Sequence, residues 1–171
     1  PWPQVPLTRD GRIEIEGRSG AIGIRSMRFL KCPGINFRWT PSVEQRPRAK
    51  NRSSFQVSGR LRTDGAKLFF SVERVLKLPS DLERFQKRQP TGAKAGPEDW
   101  FALAAWADGR GRFYDDAELV ERAQLANRRG VKLLRNRGRS DADRLFAAAA
   151  EARKRGLSEM FRIEIVHEAL R

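Results

Sequence analysis

Apolar and polar residues alternate along the first 78 residues, and apolar residues recur at helical spacing after residue 79. A period of two is typical of strands that bury one face, and a spacing of three to four is typical of amphipathic helices. The pattern therefore predicts an α+β fold. Its parts are an N-terminal antiparallel β-sheet over about residues 11–78, a helical region over about residues 80–156, and a short C-terminal strand or helix.

The strands are separated by residues that favour turns. Gly17–Gly20 is expected to be a turn after the first strand, and Thr63–Gly65 has the composition of a β-hairpin turn. The outward positions of the later strands carry Arg38, Arg60 and Arg62, so one face of the sheet is expected to be basic and solvated. Strands are predicted over residues 12–16, 21–30, 35–39, 55–62 and 67–78.

Capping residues predict the helix boundaries. Ser80 or Asp81, Pro97, Asp115 or Asp116, and Ser140 or Asp141 begin helices, while Gly130 and Gly156 are expected to end the third and fourth. Helices are predicted over residues 82–88, 97–107, 117–129 and 142–155, and residues 161–166 fit a short strand or a helix. Residues 89–96 have linker composition. This divides the chain into a basic β domain (1–88), a linker (89–96) and a helical region (97–171).

Charge narrows the class of partner. The chain has 35 Lys and Arg against 21 Asp and Glu, which gives a formal net charge of +14. Such an excess favours a polyanion as partner. Two stretches concentrate it, because residues 25–62 contain ten basic residues and one acid, and residues 128–139 contain no acid. The predicted nucleic-acid-binding residues are Arg25, Arg28, Lys31, Arg38, Arg46, Arg48, Lys50, Arg52, Arg60, Arg62, Arg128, Arg129, Lys132, Arg135, Arg137 and Arg139.

Residues for catalysis or metal binding are few. With His167 and Cys32 as the single histidine and cysteine, a zinc site built from several such ligands within the chain is excluded. Asp64 and Glu73 bracket a strand as nuclease acids do, but Val75 stands where such a site needs lysine. The acids at 115, 116, 141 and 143 are explained as helix caps. No catalytic constellation is found, and neither an enzyme, a cofactor nor a metal is expected.

These observations favour an RNA-binding structural component of a large ribonucleoprotein that contacts RNA through phosphates, with an organellar ribosome as one setting. RNA is preferred over DNA, neighbouring proteins are expected partners, and a membrane is not. The alternatives are a free DNA- or RNA-binding regulatory protein, a metal-dependent nuclease and a peripheral membrane protein. One cysteine favours a reducing intracellular compartment. The given sequence begins at Pro1 and not at an initiator methionine. Removal of a transit peptide is one explanation for this start. The expected locations are the mitochondrial matrix, another organelle or the cytoplasm.

Overall fold

The computed structural model describes residues 11–43, 47, 52–65, 67–92 and 95–171. The chain forms two compact units that divide between Ser80 and Asp81. The sequence places the boundary later, at the linker 89–96. The first helix, which precedes this linker, packs Phe85 into the same core as Trp100, and it therefore groups with the helices rather than with the strands.

The first unit is a closed five-stranded barrel with the strand order β1-β2-β3-β5-β4. Its strands are β1 (Ile13–Ile22), β2 (Ser26–Phe29), β3 (Asn36–Trp39), β4 (Ser54–Asp64) and β5 (Lys67–Lys77). The α+β prediction is confirmed. The purely antiparallel pairing is wrong at one place, because β3 and β5 pair in parallel. The β4–β5 hairpin lies between β3 and β1, so each of these five strands pairs on both sides.

The predicted turn at Gly17–Gly20 is wrong. β1 continues through it, pairing first with β4 and then with β2, with a bulge between Ser19 and Ala21. Gly17 serves a close contact instead, since a Cβ there would lie 2.7 Å from Cδ1 of Phe29. A missing side chain inside a strand allows such an approach.

Aromatic and β-branched side chains fill the barrel. Phe37, Phe55 and Phe70 are fully buried, and the rings of Phe29 and Phe37 meet edge to face with centroids 4.7 Å apart. Each such side chain contributes roughly 1.5–3 kcal/mol when it leaves water. The predicted β4–β5 hairpin is confirmed, and Gly65 supplies the left-handed backbone of its turn with φ of 59°.

The second unit contains α1 (Asp81–Lys87), α2 (Pro97–Tyr114), α3 (Ala117–Arg137), α4 (Ala142–Lys154) and α5 (Glu159–Ala169). The predicted caps of α3 and α4 are confirmed. Asp116 Oδ1 accepts from the backbone N–H of Leu119, and Asp141 Oδ1 accepts from that of Arg144. Such caps satisfy donors that the first helical turn leaves unpaired.

Two predicted helix ends are wrong. α2 continues seven residues past Ala107. Of the two alternatives for residues 161–166 the helix is confirmed, because they belong to α5. α3 runs through Gly130, so the predicted stop there is wrong. The ring of Phe101 from α2 occupies the space of the absent side chain, and a Cβ on Gly130 would lie 2.3 Å from its Cε1. This glycine allows two helices to approach and does not end one.

Candidate nucleic-acid interface

The outer surface of β2, β3, β4 and β5 carries the arginines predicted on the solvated face. On β5, Ser71 pairs with Arg38 of β3 on one side and with Arg60 of β4 on the other, and Phe69 pairs with Arg62. Neighbouring strands lie about 4.8 Å apart, so the backbones at Arg38 and Arg60 are about 10 Å apart. We call this set the barrel face, and its members are Arg28, Arg38, Arg60, Arg62 and Phe69.

Two carboxylates neutralise part of this charge. Glu73 lies 2.8 Å from Nη2 of Arg12 and 3.4 Å from Nε of Arg60, and Asp64 lies 3.0 Å from Nη1 of Arg38. Exposed ion pairs of this kind are worth about 0–1 kcal/mol, so a phosphate can replace the carboxylate at little expense. The two acids considered above for a nuclease are therefore the ion-pair partners of the barrel arginines.

The other two arginines of the barrel face, Arg28 and Arg62, have no such carboxylate partner among the described residues. Arg28 lies exposed between the buried Met27 and Phe29, and neither Arg28 nor Arg62 makes an ion pair with the described residues. The guanidinium of Arg38 also covers the half-buried ring of Phe69, with Cζ 4.2 Å from the centroid. This face thus combines planar donors for phosphate with a partly accessible ring.

Further predicted cations lie in the loops of the barrel. Arg25 is exposed in the β1–β2 turn, and Lys31 is exposed after β2. Arg52 is exposed just before β4 with φ of 69°, and its backbone N–H donates to the carbonyl of Ser19 at 2.7 Å. That bond ties Arg52 to β1. The other predicted cations between β3 and β4 lie outside the described residues, and their role stays a prediction: Arg46, Arg48 and Lys50.

The second predicted cluster lies mainly on the surface of α3. Arg128 lies over the ring of Phe161 and Arg129 over that of Trp100, with Cζ 5.0 and 4.9 Å from the centroids. Lys132 is exposed one turn further on. None of the three makes an ion pair with the described residues. Because they are spaced by one, three and four residues, they share one side of the helix.

The remainder of that cluster differs in its surroundings. Arg135 Nε donates to Glu168 of α5, and Arg139 Nε lies 3.9 Å from the same carboxylate. Glu164 lies 3.9 Å from Arg135 as well. Arg137 is exposed in the last turn of α3. Carboxylates about 30 residues further along the chain therefore neutralise part of a stretch that contains no acid of its own.

Sequence reasoning missed the side chains that surround Arg128 and Arg129. Trp100, Phe161 and Leu125 belong to three different helices, and no local motif connects them. One signal was present. Leu125, Arg128, Arg129 and Lys132 have the spacing of one helical stripe, which becomes visible once α3 is extended through Gly130.

The described residues bear on two further kinds of site, a metal-binding group and a membrane-spanning helix. In the described ranges, His, Cys, Asp and Glu side chains nowhere form a group of three that could hold a metal ion. The helices in the same ranges are all too short or too polar to cross a membrane. No protein-family model matches the chain, and no curated protein matches it in sequence.

Proposed function

We propose that the protein binds RNA, mainly through phosphates, and that the barrel face is the principal contact surface. The observation that carries this proposal is the pair Arg38 and Arg60 on either side of β5, with Arg28 and Arg62 beside it. Guanidinium groups grip phosphate oxygens through two parallel N–H donors. The proposed setting is a large ribonucleoprotein, where an organellar ribosome is one example.

The architecture supports an unpaired strand as the ligand. A five-stranded Greek-key barrel is the form of the OB-fold, which binds oligonucleotides on strands 2 and 3 and the loops β1–β2 and β4–β5. The order β1-β2-β3-β5-β4, with β1 closing onto β4, matches that form. Arg28 and Arg38 lie on strands 2 and 3, and Arg25 lies in the β1–β2 turn. Because one fold can host many functions, substitution of these residues is what tests the interface.

RNA is proposed over DNA because sequence-dependent recognition of RNA targets unpaired loops and ends, whose bases stack on aromatic rings. Phe69 is the ring on the barrel face. Arg38 covers it and would have to move to admit a base. A second basic surface on α3, in the other unit, allows a separate RNA segment to be contacted, as a protein embedded in a ribonucleoprotein requires.

The test is the salt dependence of RNA binding by the full chain. Fluorescence anisotropy with a labelled single-stranded RNA is expected to give a steep fall in affinity with salt. Substituting Arg28→Gln and Arg62→Gln together should weaken binding. It should also lower the slope of log affinity against log salt by about 0.7 for each lost phosphate contact. The same sequence as DNA and as a duplex is expected to bind more weakly.

The double variant Arg144→Gln with Arg153→Gln is the matched control. Both arginines are exposed, both lie in the helical unit, and Arg144 pairs with Asp141. The control removes the same charge and should leave affinity and slope almost unchanged. Equal losses for the control and for the barrel variant would mean that only net charge matters. An unchanged slope in the barrel variant would remove this face from the interface.

A further inference from the structure

A pocket of about 300 Å³ opens beside α3, within the helical unit. Four of the described residues that line it are cationic: Arg122, Arg128, Arg129 and Lys132. Phe85 and Trp100 form apolar wall, and the described lining contains no carboxylate. The volume is at the lower end of the range of small-ligand pockets, about 300–1,000 Å³. The pocket is therefore small, basic and partly apolar.

Aromatic rings rather than carboxylates orient two of its arginines. Arg129 lies over Trp100 and Arg128 over Phe161. A guanidinium that stacks through its face keeps its in-plane N–H donors available, whereas a guanidinium paired with a carboxylate uses them. Arg162 shows the contrast, since its Nη2 lies 2.9 Å from the carboxylate of Glu159 in the same helix. Arg128 and Arg129 are thus held in place with their donors uncommitted to any described carboxylate.

The cations also crowd one another. Arg128 and Lys132 are four residues apart on α3, and like charges at this spacing repel. Arg122 has a carboxylate partner in Glu118 at 3.4 Å, but Arg128, Arg129 and Lys132 have no carboxylate partner among the described residues. A bound anion would remove this repulsion. Three cations that line one pocket suit a group with more than one negative charge.

We propose that this pocket binds a terminal phosphate monoester. A monoester carries about −1.5 to −2 at neutral pH and has three terminal oxygens, whereas a backbone phosphodiester carries a single charge. Leu125, which is 48 % exposed at the rim, offers an apolar contact to the adjoining sugar. The monoester can belong to the end of a nucleic-acid strand or to a free nucleotide. In the first case the inference rests on the proposed function.

The experiment compares one RNA carrying either a 5′-phosphate or a 5′-hydroxyl, each labelled at its 3′ end, against the full chain. Charge-assisted hydrogen bonds predict about tenfold or tighter binding of the phosphorylated strand. Arg129→Gln should abolish this preference, taken as the ratio of the two affinities measured with the same variant. Arg129→Lys, which keeps the charge without the planar fork, should retain part of it. Arg153→Gln, on α4 and outside the described pocket lining, should retain all of it.

Calorimetry with uridine monophosphate and uridine separates the two sources. Binding of the monophosphate that is lost in Arg129→Gln, with no preference between RNA ends, assigns the pocket to a free nucleotide. Binding of the monophosphate without any RNA binding supports the pocket and contradicts the proposed RNA function. Equal affinity for both RNA ends, together with no monophosphate binding, overturns the pocket while the salt test of the barrel face still stands.

Discussion

Gly130 offers a sharp test of how the helical unit is packed. An added Cβ would lie 2.3, 2.7 and 2.9 Å from Cε1, Cδ1 and Cζ of the Phe101 ring. That ring has little freedom to retreat, because the Arg155 guanidinium covers it with Cζ 3.4 Å from the centroid. We therefore expect Gly130→Ala to destabilise the protein, although alanine is the better helix former.

The two opposing effects differ in size. Alanine in a helix interior is favoured over glycine by about 1 kcal/mol. An extra methyl group in a well-packed core costs about 1–3 kcal/mol, and a contact this short belongs in the upper part of that range. The expected net change for Gly130→Ala is a loss of about 1–2 kcal/mol. At Gly109 of α2, an added Cβ would meet no described atom of another element within 4 Å, so Gly109→Ala should gain about 0.5–1 kcal/mol.

Denaturant unfolding followed by the helical circular dichroism signal measures both free energies of unfolding. The two glycine-to-alanine changes should shift it in opposite directions. Phe101→Leu should remove most of the clash, so the loss caused by Gly130→Ala should shrink in that background by more than about 0.5 kcal/mol. A Gly130→Ala protein as stable as Gly109→Ala would refute the reasoning, because α3 and α2 could then not approach this closely at Gly130.

Three further predictions concern other sites. Gly59→Ala should cost more than about 4 kcal/mol, seen in the free energy of unfolding, because its Cβ would overlap the backbone oxygen of Ser71. Asp81→Ala should cost about 3 kcal/mol, since it leaves the partly buried Arg110, 2.7 Å away, without this carboxylate; an additive double mutant with Arg110→Ala would contradict a coupled pair. Burial raises the pKa of Cys32, so the folded state holds the thiol proton more tightly than the unfolded state does. This difference favours the folded state at pH values where both states keep the proton. The advantage is lost as pH rises past the ordinary cysteine range. Alkylation of Cys32 should reach half-maximal rate at a higher pH than free cysteine, and a midpoint at or below that of free cysteine would count against burial.

The sequence predicted correctly those element boundaries that capping and turn residues set. The carboxylates of Asp116 and Asp141 cap α3 and α4 where the sequence indicated, and the Thr63–Gly65 turn joins β4 and β5. Glycine was misinterpreted at Gly17 and Gly130. Its absent side chain admits a ring from a residue 12 positions later in one case and 29 positions earlier in the other. Nothing in the sequence near either glycine distinguishes such a contact from a turn or a helix end.

The positive charge of the candidate interface was predictable from the sequence, but the carboxylates that neutralise part of it were not. Residue spacing placed Arg38, Arg60 and Arg62 on one outer face, and the strand register brings them together. The partners of the arginines follow from tertiary structure alone. Asp64 of β4 reaches Arg38 of β3 across the intervening strand, and Glu168 reaches Arg135 from another helix. The net charge of a segment, counted from its own residues alone, therefore overstates the positive charge that a ligand would meet.

The distribution of carboxylates distinguishes the two basic surfaces by what they can hold. The barrel face spreads its arginines over three strands, with Arg38 and Arg60 about 10 Å apart across β5, which suits successive phosphodiesters of an extended strand. The α3 pocket gathers its cations around one cavity of about 300 Å³, which suits one doubly charged group. Affinity at the barrel face should therefore increase with strand length and fall steeply with salt. Affinity at the pocket should depend on the terminal phosphate and hardly on length.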